Sequence, residues 1–124
     1  MKKTPLRKRS KNKVKQLKRK LDIIWSKKVR ERDKICQHCH KTQCTQAAHI
    51  FSRNNLATRW EIINGVGLCV YCHLYWGHRC PVEFTNWVKG WLGTKKYVAL
   101  EYLSKTFFVF TENDYEKIKR ELEL

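Results

Sequence analysis

Six cysteines and five histidines are where this chain could do chemistry. Four of the cysteines stand in two pairs, Cys36-Gln37-His38-Cys39 and Cys69-Val70-Tyr71-Cys72. A Cys-x-x-Cys turn can aim two sulfurs at one ion. Two such pairs supply the four thiolates of a closed, tetrahedral zinc site. Between them lies His49, behind Ala47 and Ala48; Asn64 opens a glycine-containing stretch, and His73 follows the second pair directly. If zinc draws residue 39 toward residue 72, the segment ending at His49 must fold back toward the one carrying His73. A neutral imidazole at His49 can take a proton from water. His73 can bind a divalent cation that steadies a phosphate and its leaving oxygen. Asn64 can fix the loop through its amide so that the His49 ring is aimed, or it is simply a turn residue, which Asn-Gly favours in any protein. Together these residues suit metal-assisted hydrolysis of a phosphodiester.

Other ligands compete for the ion. His38 and His40 sit in the first knuckle, and Cys44, His78 and Cys80 lie nearby in sequence. Cys44 and Cys80 read best as packed thiols; a second zinc on Cys44, His78 and Cys80 would need a fourth ligand.

The elements that must position these groups follow from the spacing of apolar residues. Val14, Leu17, Leu21, Ile24 and Trp25 recur at helical intervals, which predicts a helix over about 13–33. The first knuckle leads into a short strand at about 47–51. Residues 52–63 read as a polar loop that could end in a second strand, with Asn64, Gly65 and Gly67 as turn chemistry. A helix is expected from Leu68 to about Trp76, its first turn carrying the second cysteine pair, with an end at Gly77 to Pro81. Two further helices are expected over 82–92 and 95–104, and Phe107 to Phe110 reads as a strand or a buried loop. Thr111 is a good N-cap for a last helix over 112–124, whose acids should face away from a polyanion or pair with a basic helix. Helical spacing assigns Tyr71, Tyr75 and Trp76 to packing rather than base stacking.

Charge narrows the partner. The 124 residues hold 27 Lys and Arg against 11 Asp and Glu, a formal net charge of +16. Such an excess favours an anionic partner, nucleic acid before anionic lipid. Residues 1–20 carry eleven of the cations and no acid. They read as a flexible basic arm making sequence-independent phosphate contacts. No run of about 18 apolar residues suggests a membrane span. The basic start lacks the apolar core of a secretory signal. A reducing, cytoplasmic setting is therefore expected, with cysteines as metal ligands rather than disulfides.

From about residue 35 to 76 the chain resembles the HNH, or ββα-metal, endonucleases. The order is the same: Cys-x-x-Cys, a histidine ending the first strand, an asparagine, then Cys-x-x-Cys-His opening the helix. The nearest likeness is to small phage and bacterial HNH proteins, including recombination nucleases of the NinG/Rap kind. These share the stretch His49 to Arg53, Arg59-Trp60-Glu61, and Cys69 to His73. The approach Val29-Arg30-Glu31-Arg32-Asp33 is also similar.

The resemblance implies an α+β fold: a zinc-stapled ββα-metal core over residues 21–110, a basic arm over 1–20 and a C-terminal helix over 111–124. It implies a DNA endonuclease with His49 as general base, Asn64 as the middle residue of the motif and His73 on catalytic Mg2+ or Mn2+. Cys36, Cys39, Cys69 and Cys72 would hold a separate structural zinc. Arg53 and Arg59 flank the loop between the histidines and could grip a phosphate. One departure is evident: many members carry an acid or histidine just before the base as a second metal ligand, and here that position is Ala48. Glu61 could substitute. A DNA- or RNA-binding zinc protein without catalysis is the competing expectation.

Overall fold

The computed structural model describes residues 5–124. Helix α1 (Leu6–Asp33) buries Leu17, Leu21, Trp25 and Val29, one residue per turn on one side. It starts at Leu6 rather than near 13, so residues 6–20 of the expected flexible arm are helical; residues 1–4 lie outside the described residues. Strand β1 (Gln46–His49), short helix α2 (Leu56–Arg59), a single 3-10 turn at Ile62–Asn64 and strand β2 (Gly65–Leu68) follow. A π-wound helix, Tyr71–Gly77, comes next. Helices α3 (Pro81–Leu92), α4 (Thr94–Ser104) and α5 (Glu112–Glu123) complete the chain.

The two strands form an antiparallel sheet in which His49 pairs with Gly65 and Gln46 with Leu68. The second strand is thus built from residues that read as turn chemistry. The cause is the close approach of α1. A Cβ on Gly65 would stand 2.5 Å from Val29 and 2.7 Å from Trp25; one on Gly67 would stand 2.8 Å from the Cys44 sulfur. Only a strand without side chains on that face can lie so near the helix.

The last turn of α1 then clamps the strand. The Asp33 carboxylate accepts from the Gly67 N–H at 2.7 Å. The Arg32 guanidinium donates to the carbonyls of Ile62 (2.9 Å) and Gly65 (2.6 Å). Ala48, Val66 and Leu68 point the other way and pack with Cys36 and Cys72. The hairpin therefore has α1 on one face and the cysteine cluster with the π-helix on the other.

Helix α5 packs along α1, burying Tyr115 and Leu122 against Leu17, Leu21 and Trp60. Its start is a capping box: the Thr111 hydroxyl accepts from the Asp114 N–H, and the Asp114 carboxylate accepts from the Thr111 N–H at 2.7 Å. Glu112 pairs with Lys13 at 2.7 Å, so the acidic helix finds its basic partner inside the chain. Helices α3 and α4 lie where spacing predicts. Phe107 to Phe110 is no strand, and only its end is covered: Phe107 is 87% and Val109 79% exposed, while Phe110 packs against the α1–α5 core. The described residues form an α+β fold around one two-stranded sheet.

Candidate functional site

The sulfurs of Cys36, Cys39, Cys69 and Cys72 all lie within 4.8 Å of one another. A tetrahedron of Zn–S bonds near 2.3 Å needs sulfurs about 3.8 Å apart. Cys39 and Cys69 already stand 3.9 Å apart, so this cluster could hold a zinc ion. Burial pushes the Cys36 thiol up, but the backbone N–H groups of Cys39, Cys69 and His38 outweigh it and bring it down to about 6. Burial and the neighbouring thiols push Cys72 up. Four thiols in so small a space cannot all ionise without a cation; a divalent metal removes that conflict.

His38, a competing ligand by sequence, sits outside the four sulfurs. Its ring stacks on Trp76 at 3.6 Å, and its Nδ1 stands 3.4 Å from the Cys72 sulfur. Cys44 is a packed thiol, donating to the Arg30 carbonyl at 3.5 Å. The cluster contains none of Cys44, His78 and Cys80.

His49 and His73 both line a cleft of about 490 Å³ beside the hairpin, with Asp22, Trp25 and Ser26 of α1, Arg53, and His78. His49 ends β1, and its ring stacks on Trp25 at 4.0 Å with an 11° tilt. Its Nε2 lies 3.1 Å from the Arg59 carbonyl. A carbonyl only accepts, so Nε2 carries the proton and Nδ1 keeps the lone pair. Burial lowers the pKa of His49, against the opposing pull of the Arg59 carbonyl and Asp22. Burial thus favours the neutral ring.

Asn64 is fully buried. Its side chain accepts from the Phe51 N–H at 2.8 Å and donates to the Phe51 carbonyl at 3.1 Å. Both hydrogen-bonding groups of a residue just beyond His49 are thus held by one amide, which fixes the exit of β1.

His73 donates from Nδ1 to the Gln46 side-chain oxygen at 3.3 Å, which turns the Nε2 lone pair outward. Burial, then the nearby His78, lowers its pKa. The rings of His73 and His78 meet edge to face at 4.7 Å. The π-winding brings them together: the His78 N–H bonds the His73 carbonyl, five residues back, at 3.1 Å.

Two of the expected residues are engaged elsewhere. Arg59 is not open to solvent as Arg53 is. Its guanidinium holds Asp22 through two bonds, 3.1 and 2.8 Å, and is only 12% exposed. Arg53 reaches the same carboxylate at 3.4 Å but is 62% exposed, so it remains available. Nor does Glu61 stand in for the ligand missing at Ala48. It lines a different hollow, near Glu121, and Ala48 itself is buried.

The carboxylate that does line the cleft is Asp22. Burial pushes it up, but hydrogen bonds from Arg59 and Trp60 and the charges of Arg59 and Arg53 hold it low. A sequence signal for Asp22 existed: it is the first acid in the chain, after eleven cations. His78 stood out in the sequence only as a ligand of a second zinc; its pairing with His73 had no signal, because five residues is not an α-helical repeat. Tyr71 and Tyr75, assigned to packing by spacing, are 69% and 53% exposed.

No family model matches the chain, and neither the curated proteins nor the solved structures contain a match to it.

Proposed function

We propose that this protein is a divalent-metal-dependent DNA endonuclease of the HNH kind. The observation that carries the reading is the His49 ring: stacked on Trp25 and tied through Nε2 to the Arg59 carbonyl, so that Nδ1 is its lone base, in a cleft shared with His73. The order of motif residues adds support, as does the grip of Asn64 on the strand end that bears His49.

In this reading Nδ1 of His49 takes a proton from water as its oxygen attacks phosphorus. The bond to the leaving sugar oxygen breaks in line, and that oxygen gains a proton from solvent. Arg53 pairs with a phosphate oxygen once the substrate competes for its weak contact with Asp22. His73 and His78 present two imidazoles that would hold the divalent ion, water and phosphate oxygens completing its shell. The ion supplies stabilisation of charge on the phosphate and the leaving oxygen. Imidazole nitrogens suit first-row transition ions better than Mg2+.

A zinc-bearing DNA- or RNA-binding protein without catalysis is the second reading, and the buried alanine at position 48 favours it. Nicking of supercoiled plasmid separates the two. The endonuclease reading expects nicking that requires a divalent ion and is faster with Mn2+ than with Mg2+. His49→Ala should bind the plasmid and leave it intact. Equal nicking by wild type and His49→Ala, or none by either with any ion, would remove the enzyme reading.

A further inference from the structure

The cleft wall does not end at the cleft. Asp22 and Ser26 of α1 line it, and the positions one and two turns back along the same helix face carry cations. Arg7, Lys11, Lys15, Lys18, Asp22 and Ser26 follow one another at spacings of four, four, three, four and four. At 3.6 residues per turn they fall within roughly 100° of arc. Arg7, Lys11, Lys15 and Lys18 border one shallow groove with Ser10 and Val14. Over residues 6–20 the helix holds nine cations and no acid.

This stretch is poorly stabilised on its own. Residues 5–13 are all exposed. The helix has no acid in its first turn and no side-chain cap. Cations there oppose the helix dipole, which the Lys13–Glu112 ion pair offsets at the far end of the stretch. A row of phosphates would counter the remaining cations. Between Leu6 and Val14 the helix has no apolar side chain, so these turns lack the apolar face that a lipid surface would take up.

We propose that the Arg7–Lys11–Lys15–Lys18 face is a backbone track for double-helical nucleic acid, collinear with the cleft, and that the first turns of α1 are held helical by that contact. The proposal rests on the nucleic-acid partner of the reading above, not on cleavage. Fifteen residues separate Arg7 from Asp22, a helix length of about 22 Å, or roughly six base pairs of flanking duplex on one side of the cleft.

The test is duplex binding by the full chain in divalent-free buffer, across a salt series. Replacing Arg7, Lys11 and Lys15 together with Ala should lower the slope of log affinity against log salt by about 3. It should weaken binding on the order of 100-fold at physiological salt. Asn12→Pro keeps every charge but breaks the helix ahead of it; it should also weaken binding. Amide exchange over residues 6–13 should slow when duplex is added to the wild type. An unchanged slope in the triple variant overturns the proposal. So does wild-type affinity in Asn12→Pro, which would mean that a flexible tail suffices. So would binding to anionic vesicles with none to duplex. Loss of binding in these variants alongside a wild type that never nicks would support the track and sink the nuclease reading alone.

Discussion

A histidine serves as a base when its surroundings keep it neutral and decide which nitrogen bears the proton. For His49, Trp25 and burial do the first, and the Arg59 carbonyl does the second. The same burial has a consequence for stability. His49 and His73 both have folded-state pKa values below the ordinary 6.5. The unfolded chain therefore binds protons first as pH falls. Their contribution to stability is present above about 6.5 and is lost as pH falls through their lowered folded values. Thermal midpoints should accordingly fall between pH 7 and pH 5, and His49→Gln should show less of that fall. Asn64 gives a second prediction. Asn64→Ala would leave the Phe51 N–H and carbonyl without partners, at a cost of about 2–4 kcal/mol. Chemical denaturation would measure it; a loss below 1 kcal/mol would contradict the clamp.

Among the elements, the hairpin is decisive, and its glycines test how it is packed. Gly65→Ala would drive a methyl group into Val29 and Trp25, for about 1–3 kcal/mol of destabilisation. Gly90→Ala in α3 would meet nothing within 4 Å and should stabilise by about 0.5–1 kcal/mol. Opposite shifts in melting temperature are therefore expected from the same chemical change.

These elements also show how far sequence could be read. The apolar stripe of α1, the helices over 81–92 and 94–104, and the Thr111 cap were legible because local periodicity and capping fix them. Strand β2 was not. Gly65 and Gly67 look like turn residues until a helix distant in sequence lies across them. The pairing of His73 with His78 was hidden because the π-turn that joins them departs from the helical period. The hold of Arg59 on Asp22 was hidden as well, since nothing in the sequence links it to a residue 37 positions earlier.

For the molecule as a whole, two distant segments meet at four sulfurs, in a chain of formal net charge +16. Without an ion the cluster would hold its thiols against one another's charge; with zinc it contributes on the order of 10 kcal/mol to folding. Elemental analysis should find one tightly bound zinc per chain. A strong chelator should lower the melting temperature sharply, and Cys36→Ser should lose the metal. Because the thiols must shed protons to bind, acid should release zinc. A chain equally stable with and without metal would contradict the staple.

The most direct measurement of the proposed chemistry is plasmid nicking by His49→Gly, with Mn2+ present, in the absence and presence of added imidazole. The missing ring leaves a slot on the face of Trp25, and a free imidazole lodged there can accept the proton that His49 would have taken. The expected result is a silent variant whose nicking is partly restored as imidazole is added, at a pH above the pKa of the imidazolium ion. Nicking by the variant at the wild-type rate without imidazole would contradict it.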